Sequence, residues 1–536
     1  MAAQSSWRPM LALLLVASTV QTVIVSRAAV PALDALRSVA AAEAWLQSPS
    51  WTTLADEPEA PLFPVCLAAV HQVRGTIAAQ CGWPAPNWAL SLQLMSSWPL
   101  VVWVIPIYLL SRRCFDPRAA WQAGLLSCVL PAAARLGGEG LPDSLYLLLF
   151  TAALAMLSTG FTLRKNLSRP IAAGYGLAGG LLLGLAMLVR VEAVLLLVPV
   201  AIGYFTVATH DRLRDHVFRL ALTCAGVGLV LGPWSLSCEA RTPFAMISRL
   251  CSRGPARDGW VFNQPLRATE YATSDSNDMA ALNFDSKEPG TSTRRRGLGA
   301  AIISTCDELL VATGYLLLPL AWIGVHGRFL SPRRRSLNLC AATGVLLWFT
   351  MGYVNASATG YLSSRHLLPA AVFLLPAAGH GLARLPYLIG RRWHGLVRTS
   401  HGVALATVLV WATFCCLPLH GDRAGHRLAG DWLAERAVPR DWILDSWGWT
   451  ALYSHGATYR YDAAREAFQD PRLQYVVVEG RDLDSGSRRA ETLRGLLDAQ
   501  AECVARFDPP GGQSPVLIFH WRPVLAHNGA QGAVRK

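Results

Sequence analysis

Long apolar stretches alternate with short, arginine-bearing polar connections along most of the chain, and the alternation stops near residue 420. A helix needs about 20 apolar residues to cross a hydrocarbon core. Stretches close to that length fall at Met10–Val25, Trp88–Leu110, Ala119–Ala134, Ser144–Gly160, Ile171–Leu188, Ala193–Val207, Val217–Leu236, Leu309–Val325, Leu337–Val354, Leu367–Leu382 and Val403–Leu417. The pattern predicts a polytopic α-helical membrane domain over residues 1–420, with about 11 transmembrane helices. Between the first two spans, Leu36, Val39, Ala42 and Leu46 recur at helical spacing beside Arg37 and Glu43. That spacing predicts an amphipathic helix lying at the membrane surface.

Beyond residue 420 the period changes. Helical stretches around Ala424–Glu435, Ala463–Phe468 and Ala490–Leu497 alternate with strand-like Trp442–Asp445, Leu473–Val478 and Val516–Trp521. The unbroken apolar run Tyr475-Val476-Val477-Val478 suits a strand covered on both faces by helices. A small α/β domain is therefore expected over residues 421–523, followed by a disordered tail, 524–536.

Composition agrees with this reading. The chain is 52% apolar and only 15% charged, with a mean hydropathy of +0.32, whereas soluble proteins carry about a quarter charged residues. Its net charge of +13 would suggest nucleic acid as a partner of a soluble protein. Here the arginines mark topology. With the N-terminus in the cytoplasm, the inner connections carry Arg8; Arg112, Arg113 and Arg118; Arg164, Lys165 and Arg169; Arg212, Arg214 and Arg219; Arg328 and Arg333–Arg335; and Arg384, Arg391, Arg392 and Arg398. Every inner loop is then basic, as the positive-inside rule requires, and no nucleic acid is needed to explain the charge. The first span is read as retained, because Ser26-Arg27-Ala28 is not a small-x-small cleavage site. Outside lie loop 26–86, the turn Gly137–Asp143, loop 237–299 and the C-terminal domain. The preference for Arg over Lys and the richness in Ala point to a high-GC bacterium, hence an inner (cytoplasmic) membrane. None of the 12 cysteines forms a CxxC pair; Cys66 with Cys81 and Cys238 with Cys251 are the candidate disulfides of the outer loops.

The same topology gathers ionisable residues at the outer surface, where they are costly and informative. Asp34 follows the first span, Glu139 and Asp143 sit in the turn Gly137-Gly138-Glu139-Gly140-Leu141-Pro142-Asp143, Arg190 and Glu192 interrupt two apolar runs, and Arg365 with His366 begins the tenth span. A carboxylate can take the proton of an acceptor hydroxyl, and arginine can grip a departing phosphate with two donors. Plainer roles exist for each. An acid or arginine at a span end commonly anchors it in water, Glu192 can pair with Arg190, the glycines beside Glu139 suit a tight turn, and His366 can cap its helix. From the residues alone the chain carries an external, interfacial cluster of acids and cations. A transporter or lipid-sugar flippase would instead place its charges near the midplane between repeated halves, and a non-catalytic scaffold would not depend on the acids.

Several segments together resemble the dolichyl-phosphate-mannose–protein mannosyltransferase and aminoarabinose transferase superfamily, which is of the GT-C type. They are Pro31-Ala32-Leu33-Asp34, Glu59-Ala60-Pro61-Leu62-Phe63-Pro64, Leu141-Pro142-Asp143-Ser144-Leu145-Tyr146, Leu188-Val189-Arg190-Val191-Glu192 and the stretch from Gly360 to Pro369 containing Arg365-His366. The resemblance, with a bacterial member, implies inverting transfer of a sugar from a polyprenyl-phosphate donor to an extracytoplasmic lipid, glycan or protein hydroxyl. It implies catalytic roles for Asp34, Asp143 and Glu139, donor-phosphate binding by Arg190, Arg365 and His366, and a divalent metal as a possible companion of Asp143. The chain departs from the pattern at Ala35, where a second acid would stand, at Val191, where the family has Pro, and in the missing His before the Pro-rich segment. Sugar and acceptor are left open by these departures.

Overall fold

The computed structural model describes residues 7–55, 60–162, 169–207, 210–237, 297–326, 332–392, 397–436 and, within 441–522, all but 446, 455–456, 461–463, 487 and 511–513. The candidate pair Cys238 and Cys251, nearly all of loop 237–299 and the tail 524–536 lie outside these residues.

Each predicted apolar stretch is helical. Among the described residues six helices are long and apolar enough to cross a membrane, or seven if one bent pair counts as a single span, and four shorter apolar helices accompany them. The chain is thus a multi-pass membrane protein. Three local differences have physical causes. The stretch Ala119–Ala134 is a 13-residue helix, Pro117–Val129, because Pro131 follows an extended Leu130. The stretch Leu309–Val325 straddles a break: helix Leu298–Ala312 and helix Leu317–Val325 meet at 81°. Gly314 sits between them with φ +57°, and the Trp411 indole donates to its carbonyl oxygen (3.2 Å).

The third difference is a 20-residue apolar helix, Leu62–Cys81, inside the predicted outer loop 26–86. Leu62 N–H donates to Leu188 O (3.0 Å) and Arg74 donates to Asn87 O (3.0 Å). Asn87 begins helix Trp88–Cys114, and Leu188 follows helix Arg169–Met187. Both therefore mark the same end of the bundle, and this helix runs along that end. Cys66 and Cys81 share it; fifteen residues of helix put them about 22 Å apart, so they do not pair, and both are free thiols. The predicted amphipathic helix is Ala35–Gln47, with Leu36, Val39 and Ala42 buried.

Helices Trp88–Cys114 and Asp143–Thr162 pack through the buried bond Trp103 Nε1–H to Thr151 Oγ1 (2.8 Å). Helices Leu317–Val325 and Leu368–Arg392 approach closely enough that a Cβ on Gly324 would land on the carbonyl oxygen of Ala377, the small-residue contact on which membrane helices rely.

The C-terminal elements form a five-stranded sheet in the order β2-β1-β3-β5-β4, with β1 Trp442–Asp445, β2 Ala457–Arg460, β3 Leu473–Glu479, β4 Ala501–Phe507 and β5 Val516–Trp521. Strand β1 pairs parallel with β2 and β3, while β5 runs antiparallel to β3 and β4. Val476, Val477 and Val478 are fully buried, as the apolar run predicts.

Candidate active site

The acids and cations singled out from the sequence converge at one end of the bundle. Asp34 stands at the N-cap of helix Ala35–Gln47, yet its side chain makes no capping bond. Its carboxylate instead meets the Arg365 guanidinium as an ion pair, with side chains 37% and 14% exposed. Arg365 is presented by the 3-10 turn Ser364–Leu367, which Ser363 and His366 close as a capping box; His366 Nδ1 accepts from Ser363 N–H (3.4 Å).

A second group lies deeper. Asp143, at the start of helix Asp143–Thr162, pairs with Arg190, and these side chains are only 4% and 16% exposed. Glu192 approaches the same guanidinium at 3.5 Å. Burial alone would lower the Arg190 pKa, but Asp143 and Glu192 outweigh it and hold the group above its ordinary value. Arg190 is thus locked between two carboxylates.

Glu139 occupies the turn between the two groups. Burial pushes its carboxyl above the ordinary glutamate value, Asp143 adds to that, and His420, Arg135 and Arg365 oppose it. Its backbone oxygen accepts from Ala32 N–H (2.8 Å), which ties this turn to the Asp34 loop.

A cavity of about 530 Å³ is lined by Asp34, Arg135, Glu139, Tyr315, Arg365 and His420, among others. A smaller pocket, about 30 Å³, is lined by Tyr146, Arg190, Glu192, Asn355, Arg365 and His366. Arg365 lines both and so joins them. Towards the other end of the bundle lies an almost wholly apolar cavity of about 470 Å³, bounded by Leu110, Phe115, Trp322, Phe349 and Phe373. Arg135 Nε, Arg365 Nε and His420 Nε2 are buried without a hydrogen-bond partner among the described residues. Buried donors without partners are costly, and an anion is the ligand that would satisfy two guanidinium groups at once.

Sequence reasoning missed Arg135, His420 and Asn355. Arg135 had a usable signal: it sits on the predicted outer side, against the positive-inside trend. Asn355 reads in sequence only as part of the glycosylation triplet Asn355-Ala356-Ser357. Among the described residues no three His, Cys, Asp or Glu side chains gather as a metal site. The described residues alone do not fit the divalent metal, and no step is derived through one.

The whole chain shares its fold with ArnT from Cupriavidus metallidurans. The apo form aligns with 13% identity over 97% of this chain and 98% of that one, at a TM-score of 0.61. The form bound to undecaprenyl phosphate aligns with 13% identity over 96% and 98%, at 0.60. The Archaeoglobus fulgidus oligosaccharyltransferase tethered to an acceptor peptide aligns more loosely, with 12% identity over 96% of this chain and 74% of that one, at 0.52. The sequence matches no curated protein. The helical membrane bundle, with acids and arginines at one end and a small sheet beside them, is the fold of these membrane proteins. Residues 87–234 match the family model described as dolichyl-phosphate-mannose-protein mannosyltransferase.

Proposed function

We propose that the protein transfers a sugar, with inversion, from a polyprenyl-phosphate donor to a hydroxyl on the extracytoplasmic side of the membrane. The observation that carries the reading is the meeting of Asp34 and Arg365 at the wall of one cavity. The acceptor oxygen attacks the anomeric carbon, the bond from that carbon to the phosphate oxygen breaks, and polyprenyl phosphate leaves. The acceptor proton passes to the Asp34 carboxylate, a contribution of roughly 10²–10⁴-fold. Arg365 receives the departing phosphate and thereby frees Asp34 from its ion pair as the donor arrives.

The buried, unpartnered donors on Arg135, Arg365 and His420 support an anionic group in this cavity. The apolar cavity farther along the bundle suits a lipid chain, and the ArnT structure holding undecaprenyl phosphate has the same fold. Asp143 acts in this reading by holding Arg190. Glu139 faces Arg135, Arg365 and His420 at the cavity wall, and His366 supports Arg365 through its cap. The membrane would be the bacterial cytoplasmic one, with the N-terminus inside and the site outside. The acceptor is a lipid, glycan or protein hydroxyl.

The test is turnover of purified protein in lipid, offered total polyprenyl-phosphate sugars and an acceptor extract, beside Asp34→Asn. Loss of sugar from the lipid that depends on Asp34 supports the reading. A donor pool left intact by folded protein would favour transport or scaffolding.

A further inference from the structure

The loop that leads into Asp34 has no regular secondary-structure partner, yet its backbone groups are taken up one by one. Ala29 N–H donates to Leu419 O (3.0 Å), and Ala28 and Leu419 form a parallel bridge. Ala29 O accepts from the Tyr453 hydroxyl (3.2 Å). Pro31 O accepts from the Trp449 indole N–H (2.9 Å). Two of these donors belong to the C-terminal elements, more than 400 positions away (418 and 424). Trp449 and Tyr453 are buried in the same hydrophobic cluster as Val30, Ala35 and Leu36.

Trp449 is in turn fixed from behind. Asp445, at the carboxyl end of β1, accepts from Trp447 N–H (3.1 Å), Thr450 N–H (2.7 Å) and Ala451 N–H (3.3 Å), which sets the loop carrying the indole. His426 contacts Thr450 Oγ1 (3.3 Å) and the Glu479 carboxylate at the end of β3 (2.9 Å). The Arg423 guanidinium lies over the Trp449 ring at 5.3 Å. The carboxyl ends of two parallel strands thus face the Asp34 loop and grip it through an indole and a phenol.

We infer that the C-terminal domain clamps the catalytic loop, with Trp449 and Tyr453 as positioning residues for Asp34. The inference rests on the reading of Asp34 as the base. A reacting group displaced by about 1 Å can cost on the order of 10²-fold in rate, and the loop holds Asp34 only three residues beyond Pro31. Tyr453→Phe removes the hydroxyl donor and keeps the ring, whereas Trp449→Phe removes the indole donor and leaves a smaller aromatic ring, so Tyr453→Phe is the variant that spares the packing.

The experiment uses the full chain in lipid. Hydrogen exchange is followed in peptides covering residues 28–36, and turnover is measured with polyprenyl-phosphate sugar, for each variant and the double variant. Exchange at Ala29 and Ala32 is expected to quicken, kcat to fall by about tenfold in the double variant, and the donor KM to stay within about twofold. Unchanged exchange over 28–36 overturns the clamp, and so does faster exchange with unchanged kcat. An Asp34→Asn variant measured alongside separates the two ideas: full activity there removes the base, while the exchange result still decides whether the domain holds the loop.

Discussion

Asp34 and Arg365 lie 331 positions apart and form an ion pair at the wall of a cavity of about 530 Å³. The pair is partly exposed on the Asp34 side and so can open, whereas the Asp143 carboxylate that pairs with Arg190 is buried. On the proposed reading, that contrast separates a carboxylate free to act from one engaged in holding its neighbour.

Asp34→Asn is expected to lower turnover by roughly 10²–10⁴-fold while shifting stability by less than about 1 kcal/mol, the range of a pair open to water. Donor consumption and thermal unfolding of the same preparation check both halves. Near-normal turnover would remove Asp34 from the mechanism.

Asp143→Asn should behave in the opposite sense. It leaves the Arg190 charge buried with Glu192 as its remaining carboxylate, and breaking a buried pair costs about 3–5 kcal/mol. A large drop in melting temperature is expected, measured in detergent by tryptophan emission. A stable variant would mean that Asp143 is not what holds Arg190.

Glu139 has a carboxyl pKa raised by burial. A carboxyl that binds its proton more tightly when folded loses stability as pH rises from the unfolded value towards the folded one. Glu139→Gln removes that penalty, so its stability relative to the native protein should increase as pH rises above about 4.5. Melting curves from pH 4 to pH 8 test the sign.

Glu479 has the reverse behaviour. Burial raises its carboxyl, but the hydrogen bond from His426 and the charges of His426, Arg423 and Arg481 outweigh it and leave the group below the ordinary value. Its contribution is complete above the unfolded value and is lost as pH falls through the folded one. The C-terminal sheet should therefore loosen in acid, and Glu479→Gln should flatten that dependence when Trp447 and Trp449 emission is followed below pH 5.

Gly140 closes the turn between Glu139 and Asp143 with φ +73°. An alanine there pays about 1–2 kcal/mol for the left-handed backbone, and its Cβ would meet Leu92 at 2.6 Å. Gly140→Ala should lower both melting temperature and turnover, because the turn carries one acid and leads into the other. Unchanged turnover would separate this turn from the chemistry.

The helical spans and the common side of Asp34, Glu139, Asp143, Arg190 and Arg365 were legible in the sequence, since a charge ending an apolar run is a strong local signal. Which acid meets which arginine was not legible. The pairing of Asp34 with Arg365 rather than Arg190 is decided by helix packing, and no local pattern encodes it. Helix Leu62–Cys81 was hidden by His71 and Arg74, whose polarity is absorbed by Ser91 and Asn87 on another helix. Strands β2 and β4 were missed at the sheet edges: β2 has four residues, and β4 is largely exposed and without an apolar alternation. His420 and Trp449 gave no sign of a role, because a lone polar or aromatic residue beside a span usually marks only the interface.

Ala28 and Leu419 lie side by side, although one leaves the first span and the other leaves the last. During synthesis the segment bearing Asp34 emerges well before Arg365, Leu419, Trp449 and Tyr453. On the proposed clamp, a chain lacking its far end is expected to hold the Asp34 carboxylate in an unformed loop, and competence is expected only once that far end has folded.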